Sequence, residues 1–171
     1  AISLLRHPDR LQQALEDLGL DGRIPVLKLA VTWPLDRRDI EPLLQRFRHV
    51  VVVEERRAFI EEQISQFALG LAQNGADRVA RVWGKQFPGS TPGFRATLGL
   101  NVSMVTERLG RLLRVIDSPL AVEASERIES ELRFHDQTAR EKLSIPLRTP
   151  TFCPGCPHRD SADVLLQIKE Q

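Results

Sequence analysis

Four consecutive valines, Val50 to Val53, constrain the fold of this chain more than any other feature of its sequence. Valine is β-branched and favours an extended backbone. An apolar run without alternation is typical of a strand that is covered on both faces, as the strands of parallel sheets are. The run therefore predicts a buried strand with helices packed on each side of its sheet.

Apolar patterns on either side of the valines predict alternating strands and helices. Two further apolar runs, at 24–31 and 78–83, are predicted to be strands. Residues at helical spacing occur before and between these strands; they are Leu11, Ala14, Leu15, Leu18, then Ile40, Leu43, Leu44, Phe47, then Ile60, Ile64, Phe67, Ala68 and Leu71. Asp36 is the expected N-cap of the middle helix. Because such connections join parallel strands by right-handed crossovers, the first ninety residues are predicted to form a three-layer α/β unit with a mostly parallel sheet.

The sequence after residue 84 predicts a looser organisation. Glycines and prolines indicate a long loop up to residue 99, and a helix is expected over 102–112. Ser118 and Pro119 are typical of a helix start, and the charged helix that they open is predicted to run to residue 142. A proline-rich connector follows over 144–157, and a last helix is expected over 159–169.

Composition excludes several functional classes. The net charge of +1 gives no electrostatic basis for nucleic-acid binding, and no apolar run is long enough to cross a membrane. The chain has only two cysteines, which argues against a secreted disulfide framework and for a cytoplasmic location. A first residue other than Met fits an internal segment of a longer protein.

Both cysteines lie in the segment Cys153-Pro154-Gly155-Cys156-Pro157-His158. Two thiolates at this spacing beside an imidazole can bind a metal as part of its ligand set, act as a redox pair, or approach a cofactor. The other histidines lack metal-site spacing, and an extended proline-rich segment precedes the motif where a thioredoxin-like pair would follow a strand. The third interpretation requires further ligands from outside this chain.

Two adjacent carboxylates, Glu54 and Glu55, follow the valine strand, where open α/β sheets usually bind ligands. The alternative, which we favour, is that they stabilise the N-terminus of the next helix. Trp33 and Trp83 are predicted to be packing residues, and Glu61 and Gln63 are expected on the solvent side of their helix. The glycine-rich phosphate-binding motifs are absent.

Four segments in this order resemble the large subunit of indolepyruvate:ferredoxin oxidoreductase, a thiamine-diphosphate-dependent enzyme family. They are Lys28 to Leu35, Val50 to Glu55, Phe59 to Gln63 and Thr151 to Arg159. The resemblance covers residues 8–86, 100–113 and 146–168, and leaves the charged helix 119–142 outside. It implies a domain similar to the C-terminal domain of transketolase over 1–116, a charged helix and linker over 117–150, and the start of a thiamine-diphosphate-binding domain over 151–171.

The resemblance also implies an activity and a set of partners for the parent enzyme. Members of the family oxidatively decarboxylate 2-oxoacids to acyl-CoA and pass electrons through iron–sulfur clusters to ferredoxin, with thiamine diphosphate and Mg²⁺ as cofactors. Cys153 and Cys156 match cluster ligands of related enzymes, and Gly155 and His158 match the loop that approaches the cofactor. With two cysteines the chain cannot complete a four-cysteine cluster. We therefore expect a structural domain that binds no cofactor by itself, in contact with other domains or subunits; the rival is a small CxxC metal- or redox-binding α/β module.

Overall fold

The computed structural model describes residues 8–89, 91–97, 99–141 and 156–169. The chain divides into two compact units, Ala1–Arg140 and Glu141–Gln171. The described part of the first unit contains six helices and two strands, and that of the second unit contains one helix. None of the described helices is long and apolar enough to cross a membrane.

The elements of the first unit follow the predicted order over most of its length. They are α1 (Pro8–Asp17), α2 (Arg37–Arg46), β1 (His49–Val51), α3 (Phe59–Gln73), β2 (Arg81–Trp83), α4 (Val102–Val115), α5 (Pro119–Glu123) and α6 (Ser125–Arg140). The second unit contains α7 (Pro157–Lys169). Asp36 is the N-cap of α2, as predicted, and its side chain accepts a hydrogen bond from the backbone N–H of Arg38 at 2.9 Å.

β1 and β2 pair in parallel, with Val50 opposite Val82. The pairing continues one residue beyond β1, where the N–H of Val52 donates to the carbonyl of Trp83 at 2.7 Å. The predicted parallel pairing of these two strands is therefore confirmed.

The prediction of a strand over 24–31, before the valine run, is wrong, because this segment has no regular secondary structure. Pro25 has no N–H to donate to a neighbouring strand. Leu27 and Leu29 instead pack partly against the cluster formed by α2 and α3, whereas Val26 and Val31 remain 44% and 63% exposed. The apolar side chains of this run therefore contribute to the core without strand pairing.

The valine run divides its side chains between two hydrophobic clusters, as the two-residue period of an extended chain requires. Val50 and Val52 pack with buried residues of α2 and α3. Val51 and Val53 pack with buried residues of α1 and α4. All four valines are at most 7% exposed, so the prediction of a buried strand covered on both faces is confirmed. The fold is α/β with a small parallel sheet, and the closer likeness to a transketolase C-terminal domain stays a prediction.

The charged segment after residue 118 is broken into α5 and α6, whereas a single helix over 119–142 was predicted. Ser118 caps α5 and Pro119 is its first residue, as predicted. The break at Ala124 allows Leu120 on α5 and Ile128 on α6 both to pack on the cluster of α1 and α4. A Cβ at Gly110 of α4 would lie 3.3 Å from Cγ2 of Ile128, so the absence of a side chain there permits close packing of α4 and α6.

Candidate functional site

The carboxyl ends of β1 and β2 bring together acidic and basic side chains near the start of α3. Glu54 is 7% exposed, and its two carboxylate oxygens accept hydrogen bonds from the backbone N–H groups of Ile60 and Glu61, at 2.9 and 3.1 Å. These N–H groups have no partner within the helix, and a carboxylate is favoured at this positive end of the helix dipole. Of the two interpretations of Glu54, the structural one is confirmed.

Glu55 joins two distant parts of the first unit. One of its oxygens accepts hydrogen bonds from Nη1 of Arg10 on α1 and from the N–H of Leu100, both at 3.1 Å. Nη1 of Arg10 also donates to the carbonyl of Leu100. Glu55 therefore fixes the residues before α4 against α1, and its carboxylate is occupied by contacts within the fold.

Glu61 and Lys85 form a polar pair beside this cap. Oε2 of Glu61 accepts a hydrogen bond from the N–H of Lys85 at 2.8 Å, and Nζ of Lys85 donates to the carbonyl of Glu54 at 2.6 Å. Burial raises the pKa of Glu61 above its ordinary value, and burial lowers the pKa of Lys85. Burial therefore disfavours the charged form of each of these two side chains.

An open groove of about 440 Å³ lies over this pair. Glu61 and Lys85 line it together with polar residues of α3, among them Glu62 and Gln66. The sequence pattern predicts a site role for neither residue, and it places Glu61 on the solvent side of its helix. The glycine at position 84, directly before Lys85, is the sequence feature that relates to this pair. A Cβ at that position would lie 2.4 Å from Oε2 of Glu61, so the absence of a side chain leaves room for the carboxylate.

Gln63, also expected to face solvent, is buried and holds the segment before α2. Its side-chain nitrogen donates to the carbonyls of Thr32 and Phe59, each at 3.0 Å, and its side-chain oxygen accepts from the N–H of Leu35 at 3.1 Å. Trp33, within the held segment, packs on Phe59 with ring centroids 5.6 Å apart, and because it is 65% exposed this packing is at the surface.

The cysteine motif belongs to the second unit, Glu141–Gln171. Cys153 and Gly155 lie outside the described residues. Cys156 immediately precedes α7, where its carbonyl accepts a hydrogen bond from the N–H of Arg159 at 3.0 Å, and His158 is exposed in the first turn of that helix. The structure thus places Cys156 and His158 at the same end of one helix, and the roles predicted for the four motif residues stay predictions.

The donor set does not by itself fit a complete metal site. Within the residues that the structure describes, no group of three or more His, Cys, Asp or Glu side chains could hold a metal ion. The whole chain has two cysteines, and a cubane cluster held by cysteines requires four. An iron–sulfur cluster at Cys153 and Cys156 would need ligands from another chain or segment.

Comparisons with known proteins agree on one family. The profile of the indolepyruvate oxidoreductase domain matches residues 9–140. The chain is 29% identical over 160 residues to the indolepyruvate oxidoreductase subunit IorA of Archaeoglobus fulgidus, covering 94% of this chain and 22% of the relative. It is 32% identical over 146 residues to the protein of the same name from Methanothermobacter thermautotrophicus, covering 85% of this chain and 19% of the relative. No solved structure matches.

The matches include the charged helices α5 and α6, and they cover only a small part of each relative. The profile runs to residue 140 and includes α5 and α6, so the placement of this region outside the family pattern was wrong. The chain spans about a fifth of the length of the curated relatives it matches. Because the domain profile covers more than half of the chain, the chain belongs to the indolepyruvate oxidoreductase family.

Proposed function

We propose that this chain acts as a positioning domain within an indolepyruvate-type 2-oxoacid:ferredoxin oxidoreductase. The parent enzyme oxidatively decarboxylates a 2-oxoacid to an acyl-CoA, using thiamine diphosphate with Mg²⁺ and passing electrons through iron–sulfur clusters to ferredoxin. The domain itself places the catalytic domains and contributes to contacts between subunits in the cytoplasm. This proposal rests on the family match and on the order of the resembling segments.

The hydrogen bonds that Glu54 and Glu55 accept support a positioning role. Glu54 and Glu55 lie where open α/β sheets usually bind ligands, yet their carboxylates accept backbone and arginine hydrogen bonds of the fold. A carboxylate with both oxygens engaged by the N-terminus of α3 cannot also act as a base without losing that cap. The family match carries the proposal, and the engaged carboxylate of Glu54 supports a structural role for this residue.

The cysteine motif is proposed to contribute to the cofactor region of the parent enzyme. Cys153 and Cys156 would supply thiolate ligands, and Gly155, together with His158 at the start of α7, would approach the diphosphate cofactor. When bound, thiamine diphosphate supplies the carbanion chemistry of decarboxylation. A cluster at this motif would need further ligands from another chain or segment, because this chain has only two cysteines.

A two-part experiment tests the proposal. The full-length protein that contains this domain, purified anaerobically with its partner subunits, is expected to reduce ferredoxin when indolepyruvate and CoA are supplied. The 171-residue chain alone is expected to show neither this activity nor saturable binding of thiamine diphosphate with Mg²⁺ in a calorimetric titration. Stoichiometric binding by the isolated chain would contradict the positioning role, and a full-length protein without oxoacid-dependent reduction would contradict the proposed reaction.

The rival function, a CxxC metal or redox module, predicts a different result for the isolated chain. It requires zinc or iron bound at a defined stoichiometry, and this metal should be lost when Cys156 is replaced by serine. If two chains share the metal, the chain should also be a dimer. Metal analysis combined with light scattering therefore separates the two functions. A metal-free monomer supports the positioning domain.

A further inference from the structure

The amino ends of the two strands form a second polar region, at the opposite end of the sheet from Glu54. Arg48 immediately precedes β1 and His49 begins it, while Arg78 and Arg81 come from the segment that enters β2. These four side chains line one recess of about 390 Å³. Two chain segments that are distant in sequence therefore contribute three arginines and a histidine to one recess.

The backbone beneath this recess is held by the sheet. The N–H of Arg81 donates to the carbonyl of Arg48 at 3.0 Å, and His49 pairs with Arg81 in the parallel register. Nε1 of Trp83 donates to Nδ1 of His49 at 3.0 Å. Because Nδ1 accepts this hydrogen bond, the proton of the neutral imidazole lies on Nε2, which is left as a donor.

The charges around the recess are unbalanced. Arg48, Arg78 and Arg81 are all exposed, and none of them forms an ion pair with an acidic side chain in the described part of the protein. Asp117 is the acidic residue among those that line the recess. Burial lowers the pKa of His49 below its ordinary value, and the positive charges of Arg48 and Arg81 lower it further.

We propose that Arg48, His49, Arg78 and Arg81 form a binding site for a small anion of the phosphate class that carries two or more negative charges. Guanidinium groups suit phosphate oxygens because each presents a fork of donors. A phosphoryl group offers oxygens in several directions, so it can accept from arginines that converge from separate segments. A single planar carboxylate offers only two oxygens.

The shape of the site favours a small ligand over an extended acidic partner. Val79, Val115 and Ile116 contribute apolar walls beside the charged groups, so the anion would sit in a recess rather than on a flat basic surface. Its volume of about 390 Å³ suits a diphosphate group, either free or carried by a larger molecule. All residues that line this recess belong to the first unit, and the proposal does not depend on the proposed oxidoreductase role.

The test titrates the chain with inorganic pyrophosphate and follows heat release and the NMR signal of His49. Pyrophosphate is expected to bind and to raise the pKa of His49, because a nearby anion stabilises the imidazolium. Replacing Arg78 or Arg81 with glutamine is expected to weaken binding by about ten-fold, the scale of one lost charge-assisted hydrogen bond. The matched control is Arg57→Gln, which changes an exposed arginine that does not line the recess and should leave affinity unchanged.

Parallel titrations identify the source and class of the anion. Tighter binding of adenosine diphosphate than of pyrophosphate would indicate that the natural ligand is a nucleotide. Tighter binding of pyrophosphate would indicate a free phosphate compound. Either result supports the site. The proposal is overturned if pyrophosphate leaves the His49 signal unchanged, if Arg57→Gln weakens binding as much as Arg78→Gln, or if only an acidic peptide binds. Because Arg78 lies outside both strands, its variant remains informative even where Arg81→Gln disturbs folding.

Discussion

Replacing Glu54 with alanine tests the most consequential polar contact in the fold. The carboxylate is buried and caps α3 through the N–H groups of Ile60 and Glu61, at 2.9 and 3.1 Å. Alanine removes both acceptors without altering the backbone. The amide of Ile60, whose hydrogen bond is buried, then loses its partner, whereas that of Glu61 is partly accessible to water.

The expected loss follows from these two amides. A buried donor left without a partner costs about 1–3 kcal/mol, and loss of a helix cap costs about 0.5–2 kcal/mol. The two costs overlap at Ile60, so we expect Glu54→Ala to lower the free energy of unfolding by about 2–3 kcal/mol. Glu54→Gln keeps one accepting oxygen but turns an NH₂ group toward the other amide, and it is expected to cost about 1–2 kcal/mol.

Urea unfolding followed by tryptophan fluorescence measures both losses. The matched control is Glu62→Ala, which removes an exposed carboxylate from the same first turn of α3 and should cost no more than about 0.5 kcal/mol. If Glu54→Ala is no more destabilising than Glu62→Ala, the carboxylate of Glu54 does not stabilise α3, and the structural role assigned to this residue is contradicted.

Three further changes are expected to have measurable effects. Gln63→Leu leaves the buried N–H of Leu35 without a partner and should destabilise the fold by about 1–3 kcal/mol, measured by urea unfolding. Gly93→Ala places a Cβ 2.3 Å from the carbonyl oxygen of Gly84, a backbone atom that cannot move aside cheaply, and should lower the melting temperature clearly in calorimetry. The pKa of Glu61 is raised in the folded state, so ionisation of this carboxyl lowers the stability of the native fold as pH rises from below 4.5 to neutral. Glutamine does not ionise. The stability of Glu61→Gln relative to the native chain is therefore expected to increase over this pH range, measured by urea unfolding at each pH.

Each of these changes has its own control. Gln66→Leu alters an exposed residue of the same helix and should change unfolding little, whereas an equal loss would show that the contacts of Gln63 are not responsible. Gly99→Ala places a Cβ 3.4 Å from its nearest neighbour and should be tolerated. A constant stability difference between Glu61→Gln and the native chain across this pH range would contradict the burial of that carboxyl.

Sequence reasoning succeeded where a local pattern is itself the physical cause. The valine run, the helical spacings and the cap at Asp36 depend on side chains within a few residues of one another, and the structure confirms them. It failed at 24–31, where an apolar run packs without strand pairing, and at residue 124, where the predicted single helix breaks. Both errors concern regions whose conformation is set by packing on distant elements.

The sequence by itself determined the α/β class, the buried valine strand and the family resemblance, because periodicity and the order of short motifs are properties of the chain. Only the tertiary structure decided what the polar residues do. Glu55 accepts a hydrogen bond from the N–H of Leu100, Gln63 accepts one from the N–H of Leu35, and His49 lies opposite Arg81 in the sheet. Those roles depend on which backbone groups and charges meet in space, and no local pattern specifies that.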